Sequence, residues 1–155
     1  FPDLNLAYTL LETDIIDGDI KSNLAGGIVS IKGKELPYAP RHTFIIGLES
    51  RVFSKLSYKL DFKYIDKVYT DFENIETIGN KGIKGPIESY QIINLSLDYN
   101  INEKTRFFMS AKNLLDHIYI GSRLHSNPGQ PEAHLSSGIL PGPRRQINFG
   151  IDYAF

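Results

Sequence analysis

An all-β fold is expected of this chain: about six antiparallel strands that form a segment of a larger transmembrane β-barrel. Apolar and polar residues alternate over six stretches, and the connections between those stretches are short and long by turns. The apolar side of each stretch carries no charge.

Successive strand side chains point to opposite faces, so a period of two marks a strand with two unlike faces. The first strand is Leu4, Leu6, Tyr8 and Leu10, and the second Phe44, Ile46, Leu48 and Val52, with Ser50 interrupting. In the third, Leu56, Tyr58, Leu60, Phe62 and Tyr64 alternate with Ser57, Lys59, Asp61 and Lys63. The fourth sets Ile93, Leu95, Leu97 and Tyr99 against Asn94, Ser96, Asp98 and Asn100. The fifth is the least regular, with Phe107, Met109 and Ala111 against Arg106, Phe108, Ser110 and Lys112. The sixth places Ile147, Phe149, Ile151, Tyr153 and Phe155 opposite Gln146, Asn148, Gly150, Asp152 and Ala154. No segment sustains a helical period.

Strands two and three join through Phe53-Ser54-Lys55, and strands four and five through Ile101-Asn102-Glu103-Lys104. The other links, 13–42, 67–88 and 115–144, far exceed the usual hairpin loop of about 2–5 residues. Strict alternation brings all the long links to one end of the sheet. Short turns at one rim and long loops at the other are the asymmetry of membrane barrels.

Alternation alone also suits a soluble lipocalin-like carrier with its apolar face turned inward, and 155 residues would serve one. Two details favour lipid. Glu49, Arg51, Lys59, Asp61, Lys63, Asp98, Arg106, Lys112 and Asp152 all fall on the polar face, and none on the other. A Lys or Arg at mid-bilayer on the lipid face costs about 2–4 kcal/mol, so lipid enforces a face free of charge. The apolar face is also sorted: Tyr58, Tyr99, Phe107, Tyr153 and Phe155 toward the short turns, Phe44 and Tyr64 toward the long links, and Leu48, Leu60, Leu97 and Ile151 between. Aromatic rings at both interfaces around an aliphatic belt form a membrane girdle. Six strands are too few to close a barrel, the smallest having about eight. The sheet is therefore expected to continue, in a longer chain or in a barrel shared among several chains.

Composition narrows the rest. The chain opens at Phe1-Pro2-Asp3, as expected of a processed protein or a piece of a longer one. It holds no cysteine, which excludes disulfides and thiolate metal sites, and its net charge of −1 gives no reason to expect nucleic acid. No run of 18 apolar residues exists to form a membrane helix.

Three segments carry a resemblance. Glu35-Leu36-Pro37-Tyr38-Ala39-Pro40-Arg41-His42-Thr43 leads into a strand, and Lys112-Asn113-Leu114-Leu115-Asp116-His117-Ile118-Tyr119-Ile120 closes one. Gly138-Ile139-Leu140-Pro141-Gly142-Pro143-Arg144-Arg145 precedes the terminal strand, which ends on Tyr153-Ala154-Phe155. Together they resemble the last quarter of a TonB-dependent outer-membrane receptor, nearest the ferric-dicitrate-type members. The resemblance makes residues 1–155 the C-terminal part of a 22-stranded barrel, with the plug domain and TonB-contacting segment in a missing N-terminal region. It implies TonB-coupled uptake of a ferric chelate (ferric citrate or a siderophore) across the bacterial outer membrane, with the chelate as cargo and no resident cofactor. The expected partners are outer-membrane lipid, the chelate, TonB, and the barrel assembly machinery through Phe155 with Tyr153.

Within this frame Arg123, His125 and His134 share the last long link and are the ligand-contact candidates. Exposed over a barrel mouth, they could hold an anionic chelate by charge-assisted hydrogen bonds, or ligate haem iron through imidazole. The bland alternative is a solvated polar loop. Arg41 and His42 are expected to fix the chain at the start of a strand. Arg144 and Arg145 are expected to be structural, with the lumen and lipopolysaccharide as their other destinations. Asp61 between Lys59 and Lys63 reads as lumen lining. No nucleophile–base pair, metal-ligand spacing, phosphate loop or Gly-x-Ser-x-Gly stands out, so no catalytic or metal site is expected. Asn94-Leu95-Ser96 spells a glycosylation acceptor, but lies mid-strand.

Overall fold

The computed structural model describes residues 1–22, 25–78, 84–124 and 138–155. The strands are β1 (Asp3–Leu10), β2 (Asp19–Ser22), β3 (Gly27–Ser30), β4 (His42–Val52), β5 (Leu56–Ile65), β6 (Tyr90–Asn102), β7 (Thr105–Lys112), β8 (Ile120–Leu124), β9 (Gly138–Pro141) and β10 (Gln146–Tyr153). Six of them, β1-β4-β5-β6-β7-β10, form one antiparallel sheet in chain order, and they are the six alternating stretches. Two of the long links carry a hairpin of their own, β2–β3 in the first and β8–β9 in the third. Strands of four or five residues are too short to show a period, so these were not legible.

Register joins the apolar residues into continuous rows. Leu4 faces Leu48, which faces Leu60, then Leu95, Ala111 and Ile147, so one row crosses all six strands. A second row runs Tyr58, Leu97, Met109, Phe149, and a third Leu56, Tyr99, Phe107, Ile151. Toward the long links Tyr8, Phe44 and Tyr64 stand side by side, with ring centroids 4.6 and 6.2 Å apart. Each such cross-strand pair contributes roughly 0.2–1 kcal/mol, and a one-residue slip anywhere would turn a whole strand over. On the opposite face Arg106 bridges Asp98 and Asp152, and Lys59 approaches Asp61 at 3.7 Å. Phe108, the aromatic out of step on that face, lies where a side chain at Gly150 of β10 would stand. A ring covering a cross-strand glycine explains the irregular pattern of the fifth stretch.

The short connections are tight for a local reason. Phe53 and Ser54 have φ of 51° and 59°, and Lys55 N–H returns to Val52 C=O at 3.3 Å. Two left-handed central residues match the twist of the flanking strands, at a cost of about 1 kcal/mol for each residue that is not glycine. Between β6 and β7 only Glu103 and Lys104 separate the paired Asn102 and Thr105.

Among the described residues the buried hydrophobic side chains are only Ile31, Val68, Ile87 and Ala111, and the first three belong to the long links. Leu6, Phe149 and Ile151 on the apolar face are 68%, 74% and 66% exposed. That face does not close around a dry cavity: β1 and β10 are the two edges of an open sheet. The lipocalin-like alternative is thereby corrected, because its apolar face would have to be the interior. No helix among the described residues is long and apolar enough to cross a membrane, which says nothing of strands.

Candidate functional site

The chemistry-bearing side chains gather at the long-link end, above β1, β4, β5, β6, β7 and β10. The site is built from a clamp at its base upward. Asn113 ends β7 in the left-handed region, φ 48°, and its side chain is 3% exposed. Its Oδ1 accepts from His117 N–H at 2.9 Å, while Nδ2 donates to His117 C=O at 2.8 Å and Pro143 C=O at 3.0 Å. Its own N–H donates to Asn94 Oδ1 at 3.0 Å, tying the turn to β6. Asp116 takes the Arg144 guanidinium through both oxygens, at 2.8 and 2.5 Å, and the Arg145 N–H at 2.9 Å. The hydrogen bond from Arg144, then that from Arg145 N–H, holds the Asp116 carboxyl well below the usual carboxylate range. Tyr119 stacks on Tyr90 at 4.3 Å and accepts Gly142 N–H at 2.8 Å, and any Cβ at Gly142 would overlap its ring. Segments 112–120 and 138–145 therefore hold each other, and Arg144 takes the structural role expected of it.

Above the clamp the three links interlock. Tyr38, left-handed at φ 58°, donates its N–H to Tyr69 C=O at 2.8 Å. Its hydroxyl donates to Arg123 C=O at 2.9 Å and accepts Arg123 N–H at 3.2 Å. Ser22 donates to Glu73 at 2.7 Å, and the Asn74 side chain brackets Glu35 by accepting its N–H and donating to its C=O. Glu76 receives Lys67 Nζ at 2.9 Å and the Tyr69 hydroxyl. The bond from Tyr69 is the larger cause of a lowered Glu76 carboxyl, and the same bond raises the Tyr69 phenol.

Arg123 is not exposed over a mouth. It is 3% exposed in β8, and its guanidinium donates to Pro86 C=O at 2.9 Å. The expectation of an exposed Arg123 is corrected: its guanidinium is held against link 67–88 through Pro86 C=O, which draws the side chain out of solvent. His125 and His134 lie outside the described residues. Arg41 pairs with Glu12 at 2.5 Å and His42 Nδ1 with the Tyr8 hydroxyl at 2.9 Å, both fixing the start of β4. Among the described residues no three His, Asp or Glu side chains converge as a metal site would require.

What the residue pattern did not single out is an open recess of about 540 Å³ between the first and second links. Ile20, Leu36, Pro37, Tyr38 and Phe72 line it, with Thr70 and Asp71 as its polar members. A second recess of about 310 Å³ lies where links two and three meet, beside Arg123, Tyr90 and Tyr119.

The family model described as TonB dependent receptor-like, beta-barrel matches residues 3–114. A comparison with curated protein sequences found no match. Solved structures similar to the chain include the siderophore receptor PiuA from Acinetobacter baumannii, at 18% identity and TM-score 0.73 over 98% of this chain and 19% of that one. The ferric-catecholate import receptor Fiu from E. coli K12 is similar at 20% identity and TM-score 0.64, over 99% of this chain and 19% of that one. The unliganded ferric citrate transporter FecA is similar at 16% identity and TM-score 0.63, over 80% and 19%. The chain thus spans about a fifth of the length of these structures.

Proposed function

The chain belongs to the TonB-dependent receptor β-barrel family, and from that premise we propose that it is the C-terminal part of a receptor that imports a ferric chelate. The family's barrels lie in the outer membrane of Gram-negative bacteria, and they are receptors and transporters rather than enzymes. In this reading residues 1–155 supply six adjacent barrel strands, and the remaining strands complete the sheet on the β1 and β10 edges. The plug and the TonB-contacting segment lie elsewhere in the full-length protein. Outer-membrane lipid covers the apolar face. Phe155, whose ring meets Tyr153 edge-on at 5.2 Å, is the terminal aromatic presented to the barrel assembly machinery.

One observation carries the reading: a charge-free apolar face six strands wide, below three links knitted into one cap at a single end of the sheet. Lipid demands the first, and long links gathered at one end are the arrangement of the extracellular loops of membrane barrels. Siderophore and ferric citrate are both within reach of the likeness. The test is uptake of ⁵⁵Fe by iron-starved cells bearing the full-length receptor, supplied as ferric dicitrate or as a ferric siderophore. Uptake from at least one chelate should need both the receptor and TonB. Uptake that is unchanged when the receptor is deleted, or that persists without TonB, contradicts the proposal.

A further inference from the structure

Ties from two different links converge on Arg123 of β8, in the third link. Its C=O accepts the Tyr38 hydroxyl at 2.9 Å and its N–H donates to the same oxygen at 3.2 Å, which joins its backbone to the first link. Its guanidinium donates to Pro86 C=O at 2.9 Å, which joins its side chain to the second. Arg123 is buried, so water competes poorly for these bonds.

Local sequence places the phenol. Tyr38 stands in Pro37-Tyr38-Ala39-Pro40, where each proline fixes its own φ and restricts the residue before it. Proline followed by a left-handed residue is the type II turn pattern, whose second central position usually falls to glycine. Tyr38 takes that position at φ 58°, a backbone that a Cβ disfavours. Glycine would hold the turn without strain and would bring no phenol to Arg123. The first and second links are joined separately. Tyr38 N–H donates to Tyr69 C=O at 2.8 Å, and Asn74 accepts Glu35 N–H at 2.6 Å and donates to Glu35 C=O at 2.9 Å. The three links are thus tied pairwise, as the sides of a triangle. Cutting either tie at Arg123 leaves the other to hold β8.

We propose that Tyr38 and Arg123 form a latch that holds the third link to the first two, so that the three meet the cargo as one preformed body rather than as loops that close over it separately. The inference rests on the uptake reading above and gives it two positioning residues. The latch acts on affinity. If an unlatched third link stood in place about a fifth of the time, apparent affinity would fall about fivefold. Passage through the barrel makes no use of these bonds, which lie above the sheet, so the maximal rate is unaffected.

The test has two arms that fail separately. In the first, the full-length receptor, freed of any other cysteine, is placed in lipid nanodiscs with nitroxide pairs on cysteines at exposed positions. Ile28 with Leu140 reports on the first and third links, and Ile28 with Thr77 on the first and second. Tyr38→Phe, which keeps the ring, and Arg123→Met should each leave the Ile28–Leu140 distance distribution close to the parent's width. The double variant should broaden it at least two-fold while Ile28–Thr77 stays narrow. A double variant with the parent's width overturns the latch. So does a single variant that matches the double, or equal broadening between Ile28 and Thr77. In the second arm, iron-starved cells receive ⁵⁵Fe as ferric dicitrate or as a ferric trihydroxamate. For the chelate taken up, the double variant should raise KM at least five-fold and keep the maximal rate. An unchanged KM overturns the positioning role, and a lower one shows that the links must part to admit cargo, which overturns it equally. Broadened distances in a receptor through which no iron enters keep the latch and remove the uptake reading; uptake with the parent's distances in the double variant does the reverse.

Discussion

Replacing Asn113 by Ala should loosen the clamp beneath the last link more than any other single truncation of a neutral side chain there. The side chain is buried and makes three hydrogen bonds, to His117 N–H, His117 C=O and Pro143 C=O. At about 1 kcal/mol net for each bond, its loss costs about 3 kcal/mol. The left-handed backbone at φ 48° adds about 1 kcal/mol for alanine, which has a Cβ and no polar side chain to compensate. The total is about 4 kcal/mol, or up to roughly a thousandfold in local opening. Asn113→Gly keeps the bond loss and drops the backbone cost, so it should sit about 1 kcal/mol above Ala. Asn113→Asp keeps the acceptor for His117 N–H but turns a carboxylate toward two carbonyl oxygens, and should be at least as damaging as Ala. Amide exchange in the full-length receptor reads this directly at His117 and at Gly142, whose N–H is held by Tyr119 C=O. Protection in Asn113→Ala within a factor of five of the parent refutes the clamp.

Three further outcomes are expected. Leu60→Arg, in the middle of the apolar row, should cost the assembled receptor about 2–4 kcal/mol in urea titration, and Ser96→Arg on the other face much less; equal losses would reverse the lipid assignment. This chain has no cysteine, so in a full-length receptor freed of any other cysteine, single cysteines at Ile16 and Ser54 can be labelled on intact cells, and only Ile16 should react; equal labelling removes the one-sided arrangement of links. Asp116 has a lowered folded pKa, so its contribution is complete above the unfolded carboxylate value of about 4 and lost only as pH falls well below it. Protease cutting within 113–119 should thus be the same at pH 7 and pH 4.5 and rise only in stronger acid; a rise already between pH 7 and pH 5 contradicts the Asp116–Arg144 pairing.

The sheet was legible because its signal is periodic. Leu4, Leu48, Leu60, Leu95 and Ile147 each announce a face locally, and register follows once every strand must present that face to one medium. The hairpins β2–β3 and β8–β9 were not, since Asp19-Ile20-Lys21-Ser22 is too short to carry a period. Arg144 was expected to be structural, but the bonds of Asn113 and Asp116 were not legible, because their partners Pro143 and Arg144 lie about 30 residues away along the chain. Arg123 was misplaced for a physical reason: charge alone suggests solvent, whereas a guanidinium whose donors meet a carbonyl such as Pro86 C=O can be buried. The recess left no mark at all, because Ile20, Leu36 and Tyr38 of the first link meet Phe72 of the second through contacts far apart in sequence, such as Tyr38 N–H to Tyr69 C=O.

The claim on which everything else depends is that one face of the six-stranded sheet meets lipid and the other an aqueous lumen. Spin labels on single cysteines at Leu60 and Leu97, and at Lys59 and Ser96, address it in the full-length receptor reconstituted in bilayers. Labels at Leu60 and Leu97 should collide with oxygen dissolved in the membrane and be shielded from a water-soluble nickel chelate, with the opposite at Lys59 and Ser96. Nickel accessibility at Leu60 and Leu97 equal to or above that at Lys59 and Ser96 would contradict the account.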